Sequence, residues 1–268
     1  GAVGLDIGPQ TLAYSACGAA DLVELADQVQ NIEQMKRRLQ RKLDRSRRAT
    51  NPDNYADNGT IRRGVKLTHN KSNRYRRTQR ELRYLQHCQA EIRKRQHIEL
   101  ANHLLALGDC FYVEDMAWPS LTHRAKETAI SEKTGRMKRK KRFGKSVANK
   151  APATLIGILE QKCNSLGLPG VVKVPTSLRA SQYNHQSGEY TSKPLSQRWN
   201  NMPDGERIQR DLYSAFLLQH YDPKAGNFDS ALLQQDYPQF VQYHHRAIQR
   251  LSTVPKTLSS MGIQRSLR

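Results

Sequence analysis

GAVGLDIGPQTLAYS, residues 1–15, alternates apolar side chains with small or polar ones at a period of two. Val3, Leu5 and Ile7 share one face of a strand, and Gly4, Asp6 and Gly8 share the other. Gly8-Pro9 breaks the strand and Thr11 to Ser15 resumes the alternation, which predicts a tight β-hairpin. One carboxylate therefore projects from the first strand between two glycines. Aspartate is unfavourable in the middle of a strand, so it needs a reason to be there. A hydrogen bond into the turn is one reason, and a metal ligand at a phosphoryl-transfer centre is the other. The choice depends on whether the remaining sequence supplies further ligands.

The chain has 268 residues, enough for one large domain or a domain with substantial insertions. It carries 44 Lys and Arg against 24 Asp and Glu, a formal charge of +20. Such an excess points to a nucleic-acid partner, because basic side chains release the counterions condensed on a phosphate backbone. No stretch approaches twenty apolar residues and no signal peptide is visible, so neither a membrane nor export is expected. Cys17, Cys88, Cys110 and Cys163 are far apart, with no C-x-x-C pair. They predict reduced, mostly buried thiols of a cytoplasmic protein. The chain begins at Gly1 rather than Met, directly on a strand, and is expected to be a trimmed or partial product.

Asp21 to Leu25 supplies a short third strand, and from about Asp27 the period lengthens. Ile32, Met35, Leu39 and Leu43 form one narrow apolar stripe of a helix. Its other faces carry Lys36, Arg37, Arg38, Arg41, Lys42 and Arg45. Asn51 to Thr60 is a turn-rich loop, and periodicity resumes near Asn73, beside Arg74, Arg76 and Arg77. It runs to Leu107, with Leu82, Leu85, Ile92, Leu100, Leu104 and Leu107 facing inward. Residues 27–107 thus predict a long helical hairpin with a basic surface. A charge run is commonly just a solvated face. Here acids are scarce, with only Glu33 and Asp44 between Asn31 and Thr50, so an anionic polymer is the better account.

Cys110 to Met116 predicts a short strand ending in two acids. Phe111 and Val113 share a face, so Glu114 projects from the opposite one, as Asp6 does; Asp115 falls with the apolar face or in the turn. Residues 117–149 form a basic loop containing Lys138, Arg139, Lys140, Lys141 and Arg142. A helix follows from Ala151 to Leu166, then a strand from Val171 to Val174. Residues 176–206 read as an irregular insertion. Its Tyr183, Tyr190 and Trp199 suit either base stacking or a small satellite core. In ERIQRDLYSAFLLQHYD, Asp211 opens a helix with small Ser214 and Ala215 beside it, allowing close approach to a sheet. A first-turn Asp is also favoured by the helix dipole alone, and Asp204 is a nearby alternative. Residues 222–268 are a C-terminal tail with a helical run near Leu232 to Leu251 and a loose polar end.

Asp6, Glu114 and Asp211 now stand on a first strand, a later strand and a helix start. That order of elements resembles the RNase H-like α/β fold, a mixed sheet flanked by helices. GLDIG with TLAYS, YVEDM and QRDLYSAFLL resemble the three RuvC motifs of the TnpB nucleases, encoded by insertion sequences and related to type V CRISPR effectors. The resemblance covers residues 1–221, with the basic hairpin inserted. It implies a metal-dependent endonuclease in which the three acids are catalytic and hold two Mg²⁺ or Mn²⁺ ions. It also implies DNA as substrate, a guide RNA as partner, a monomer within a ribonucleoprotein, and a cytoplasmic, nucleoid-associated setting. A nuclease-inactive RNA-guided DNA-binding protein, or a basic nucleic-acid binder, is the alternative. Two departures stand out. The family's four-cysteine zinc ribbon is replaced by QYNHQSGEY, with His185 the sole histidine there, so no structural zinc is expected. The family's N-terminal recognition domains are also missing from this chain.

Overall fold

A computed structural model describes residues 1–263 except 124, 125, 133, 134, 138–142, 195 and 256. The chain opens on β1 (Ala2–Ile7) and β2 (Thr11–Ala16), paired antiparallel with Leu5 opposite Tyr14 and Asp6 opposite Ala13. The Gly8 N–H donates to the Thr11 carbonyl at 2.8 Å and closes the turn. β3 (Ala19–Glu24) adds antiparallel to β2. Helices α1 (Glu33–Thr50) and α2 (Asn73–Leu107) follow. The chain then returns as β4 (Cys110–Glu114), parallel to β1. After α3 (Trp118–Thr122), α4 (Gly144–Lys150) and α5 (Pro152–Leu166), β5 (Gly170–Val174) runs parallel to β4. The result is a mixed five-stranded sheet of order β3-β2-β1-β4-β5, in a mixed α/β fold.

Two small antiparallel hairpins come next, β6 (Tyr183–Asn184) with β7 (Glu189–Tyr190), and β8 (Trp199–Asn201) with β9 (Arg207–Gln209). Then come α6 (Arg210–Gln219), the short pair β10 (Tyr221–Asp222) and β11 (Asn227–Phe228), and α7 (Ser230–Thr253). The chain forms two compact units, one of residues 1–26 and 96–268 and another of residues 27–95.

Strand alternation sorts the first unit's core into two layers. Leu5, Phe111 and Val113 pack with Leu104 of α2 and Leu155 and Leu159 of α5 on one face of the sheet. Ala13 and Leu22 pack with Leu212, Phe216 and Phe240, from α6 and α7, on the other. Gly4 faces α6. A Cβ added there would run into the Ala215 carbonyl oxygen and the Gln219 amide nitrogen, so the helix backbone rests directly on β1. Glycine at this position is required by that close approach.

Four sequence readings change. Of the α1 stripe, only Leu39 is buried, and Met35 is 50% exposed. Periodicity gives the direction of an apolar stripe, and whether anything covers it is a separate matter of packing. The insertion at 176–206 is organised as the two hairpins rather than irregular coil, with Tyr183 stacked on Phe228 at 5.4 Å between ring centroids. The satellite-core role is the one this aromatic plays. In the tail the expected helical run is present as α7, while the polar end expected to be loose is ordered through its described part. α7 buries Leu233, Phe240 and Leu251, and Met261 beyond it is 3% exposed. Of the cysteines, finally, only Cys163 is buried; Cys88 and Cys110 are half-buried and Cys17 is exposed, so the thiols are not mostly buried.

Candidate metal centre

Asp6 and Glu114 are placed by strand register. β1 and β4 run parallel with Leu5 opposite Val113, so Asp6 and Glu114 occupy the next step on adjacent strands. Side chains alternate, so with Leu5 and Val113 in the core these two carboxylates project from the opposite face. Both lie at the carboxyl end of the sheet, where open α/β sheets characteristically bind ligands.

Asp211 arrives on that same face by a helix. Over Gly4 lies Ala215, and Asp211 is one turn earlier in α6. Four helical residues rise about 6 Å and two strand residues about 6.6 Å, so the turn preceding Ala215 meets the strand near Asp6. The close approach at Gly4 thus sets the depth of the helix, and the register of α6 on β1 sets the pairing of the two aspartates. Glu114 receives a hydrogen bond from the Ala180 backbone N–H, in the short helical turn Ala180–Gln182.

The electrostatics record the convergence. Burial raises the Asp6 pKa well above the usual carboxylate range, and repulsion from Asp211, then from Glu114, raises it further. The Arg210 guanidinium and a hydrogen bond from the Ser214 hydroxyl pull it partly back. Burial likewise raises Glu114, against the Ala180 N–H. A desolvated Asp6 whose ionisation two neighbouring carboxylates oppose, beside a desolvated Glu114, forms an environment that a cation stabilises.

Asp211 is held differently. Its Oδ1 accepts from Arg210 Nε and Nη2, both at 3.3 Å, and its Oδ2 from Gln209 Nε2 at 3.2 Å. Arg198 Nη1 stands 3.8 Å from Oδ2. Among the described residues, no three His, Cys, Asp or Glu side chains are gathered into a ready ligand cage. In the present rotamers Asp211 is turned toward arginines. The donor set nevertheless fits a hard divalent ion: carboxylate oxygens alone suit Mg²⁺ or Mn²⁺, and the mutual repulsion at Asp6 is what such an ion relieves. Loading requires Asp211 to exchange part of its arginine pairing for the ion.

The alternatives separate cleanly. Asp115 is exposed, its N–H donating to the Val174 carbonyl at 2.9 Å. Asp204 accepts from Gln186 Nε2 at 2.8 Å, joining the loops of the two small hairpins. His185 is buried with Nδ1 2.7 Å from the Tyr213 hydroxyl, and burial holds its pKa down at about 4. That hydroxyl also accepts the His185 backbone N–H at 3.0 Å, and the neutral ring is a structural peg.

Of the expected basic side chains, Arg37, Arg38, Arg41, Lys42 and Arg45 are exposed on α1, and Arg74, Arg76 and Arg77 are exposed on α2. Lys36 pairs with Glu33 at 3.5 Å, while Asp44 takes Arg47 and Arg48. Arg38, Arg41, Lys42 and Arg45 line an open groove of about 440 Å³ with Met35, Leu39 and Glu81. Lys138, Arg139, Lys140, Lys141 and Arg142 lie outside the described residues. Sequence reasoning missed Gln209, Arg198, Arg210 and the Ala180 N–H. Only Gln209 and Arg210 leave a local signal, as the residues leading into the Asp211 helix.

No protein-family model matches this sequence, and no curated protein matches it significantly. Among the described residues no helix is long and apolar enough to cross a membrane.

Proposed function

We propose that this chain is the catalytic part of a metal-dependent endonuclease with an RNase H-like fold, resembling the RuvC core of the TnpB nucleases. The observation that carries the reading is Asp6, whose carboxyl is opposed by both Asp211 and Glu114 at the carboxyl end of the sheet. Asp6, Glu114 and Asp211 would hold two Mg²⁺ or Mn²⁺ ions. Such ions would supply acidification of a water and charge stabilisation for the leaving oxygen of a phosphodiester. The protein's own side chains do the rest. β1 and β4 fix two carboxylates rigidly, α6 delivers the third, and Arg198 and Arg210 offer guanidinium groups to an incoming phosphate as they give up Asp211. The basic face of α1 and α2 suits a DNA substrate and a guide RNA, with the chain acting as a monomer in a ribonucleoprotein in the bacterial cytoplasm.

The arginine pairing of Asp211 favours a second reading, a nucleic-acid binder in which those pairs are permanent. A plasmid-nicking assay with Mg²⁺ separates the two. The nuclease predicts cleavage by the wild type that disappears in Asp6→Ala while nucleic-acid binding survives. Absence of cleavage by the wild type, with a full-length chain and its guide present, supports the binder.

A further inference from the structure

Gln209 does more than cap a helix. It is fully buried, and its N–H donates to His244 Nε2 at 3.0 Å. Its side-chain oxygen accepts the Leu212 N–H at 2.8 Å and caps α6. Its side-chain nitrogen donates to Asp211 Oδ2 at 3.2 Å and to the Met261 carbonyl at 3.3 Å. Only one amide orientation works. Reversed, it would set a carbonyl oxygen against a carboxylate and a second carbonyl, and an amino group against an N–H.

The Met261 carbonyl is itself held in place. Trp199 Nε1 donates to the neighbouring Gly262 carbonyl at 2.8 Å. Gly262 has a φ of +69°, and a Cβ there would run into the Arg198 side chain. Arg198 brings the second guanidinium to Asp211, its Nη1 3.8 Å from Oδ2. The segment after α7 therefore touches both groups that address that oxygen.

We propose that Gln209 is a positioning residue for Asp211, aimed by the Met261 carbonyl, so that residues 258–263 are a strap that works as part of the acidic site. This rests on the metal-centre reading. Without the strap the amide nitrogen loses one of its two acceptors, and the donor on Asp211 Oδ2 is held less tightly. Partners that orient a metal ligand commonly change metal affinity 10- to 100-fold when removed.

The test uses Gln209→Asn and Gly262→Ala in the full chain, read by Mn²⁺ titration calorimetry, thermal unfolding and amide hydrogen exchange. Asparagine still caps a helix but is too short to reach Asp211 and Met261 together. Expected for Gln209→Asn are a modestly lower melting temperature, from the buried partner it no longer reaches, and Mn²⁺ binding weakened about tenfold. Gly262→Ala is expected to weaken Mn²⁺ binding similarly and to speed exchange in the first turn of α6. A purely structural role would lower melting temperature and leave Mn²⁺ affinity unchanged, which overturns the proposal. If the wild type binds no Mn²⁺, the metal-centre reading fails and exchange decides the strap: faster exchange in Gly262→Ala supports it, and unchanged exchange overturns it.

Discussion

An ionised Asp6 is costly where it stands. Its folded pKa lies above its unfolded value, so the folded chain holds that proton more tightly. Its contribution to stability is therefore lost as pH rises from the ordinary carboxylate range through the folded value, and stays lost above it. Asp6→Asn removes the charge at nearly constant shape. In EDTA at pH 7.5 this variant should melt about 2–4 °C higher than wild type, the shift expected for roughly 1 kcal/mol in a chain of this size. Below pH 4 the advantage should vanish; a lower melting temperature at pH 7.5 would contradict the account. His244 works with the opposite sign. Burial, with a smaller push from His245, lowers its pKa to about 4, and its Nε2 accepts the Gln209 N–H, which requires the neutral ring. The unfolded chain takes up that proton near pH 6.5. Stability should fall as pH drops from 6.5 to 4, by at most about 3 kcal/mol. His244→Gln should flatten that part of the urea-unfolding profile.

At the scale of elements, the seating of α6 on β1 decides whether Asp211 reaches Asp6. Gly4→Ala puts a methyl into the backbone of α6, and relief requires the helix to lift. Overpacking usually costs about 1–3 kcal/mol. With rigid backbone as the obstacle, the upper end or beyond is expected in chemical denaturation, together with weaker divalent-ion binding. In the helical unit, the exposed cations of α1 make a separate prediction. Replacing Arg37, Arg38, Arg41, Lys42 and Arg45 by Gln should reduce the slope of log affinity against log salt by about 0.9 for each phosphate of duplex DNA that is no longer neutralised. An unchanged slope would remove α1 from the interface. The sheet was legible in the sequence because period two in GAVGLDI and CFYVE survives burial on both faces. That alternation also separated Glu114 from Asp115. The α1 stripe misled, since Met35 has the right spacing but is half exposed.

For the molecule as a whole, the places of the three acids were readable in the sequence because each sits near the end of a strand or the start of a helix. What surrounds them could not. The Ala180 N–H on Glu114, Arg198 on Asp211 and the Met261 carbonyl on Gln209 come from segments distant in sequence, placed only by packing. The same packing orients Asp211 toward arginine, a detail no periodicity encodes. The central claim is that Asp6, Glu114 and Asp211 form one divalent-cation site despite that pairing. Crystals soaked in Mn²⁺ test it most directly through anomalous scattering. The account predicts Mn²⁺ peaks about 2.0–2.3 Å from carboxylate oxygens of all three residues, with Asp211 turned away from Arg210. Density absent from this site at saturating Mn²⁺, with the Arg210–Asp211 pair intact, would contradict it.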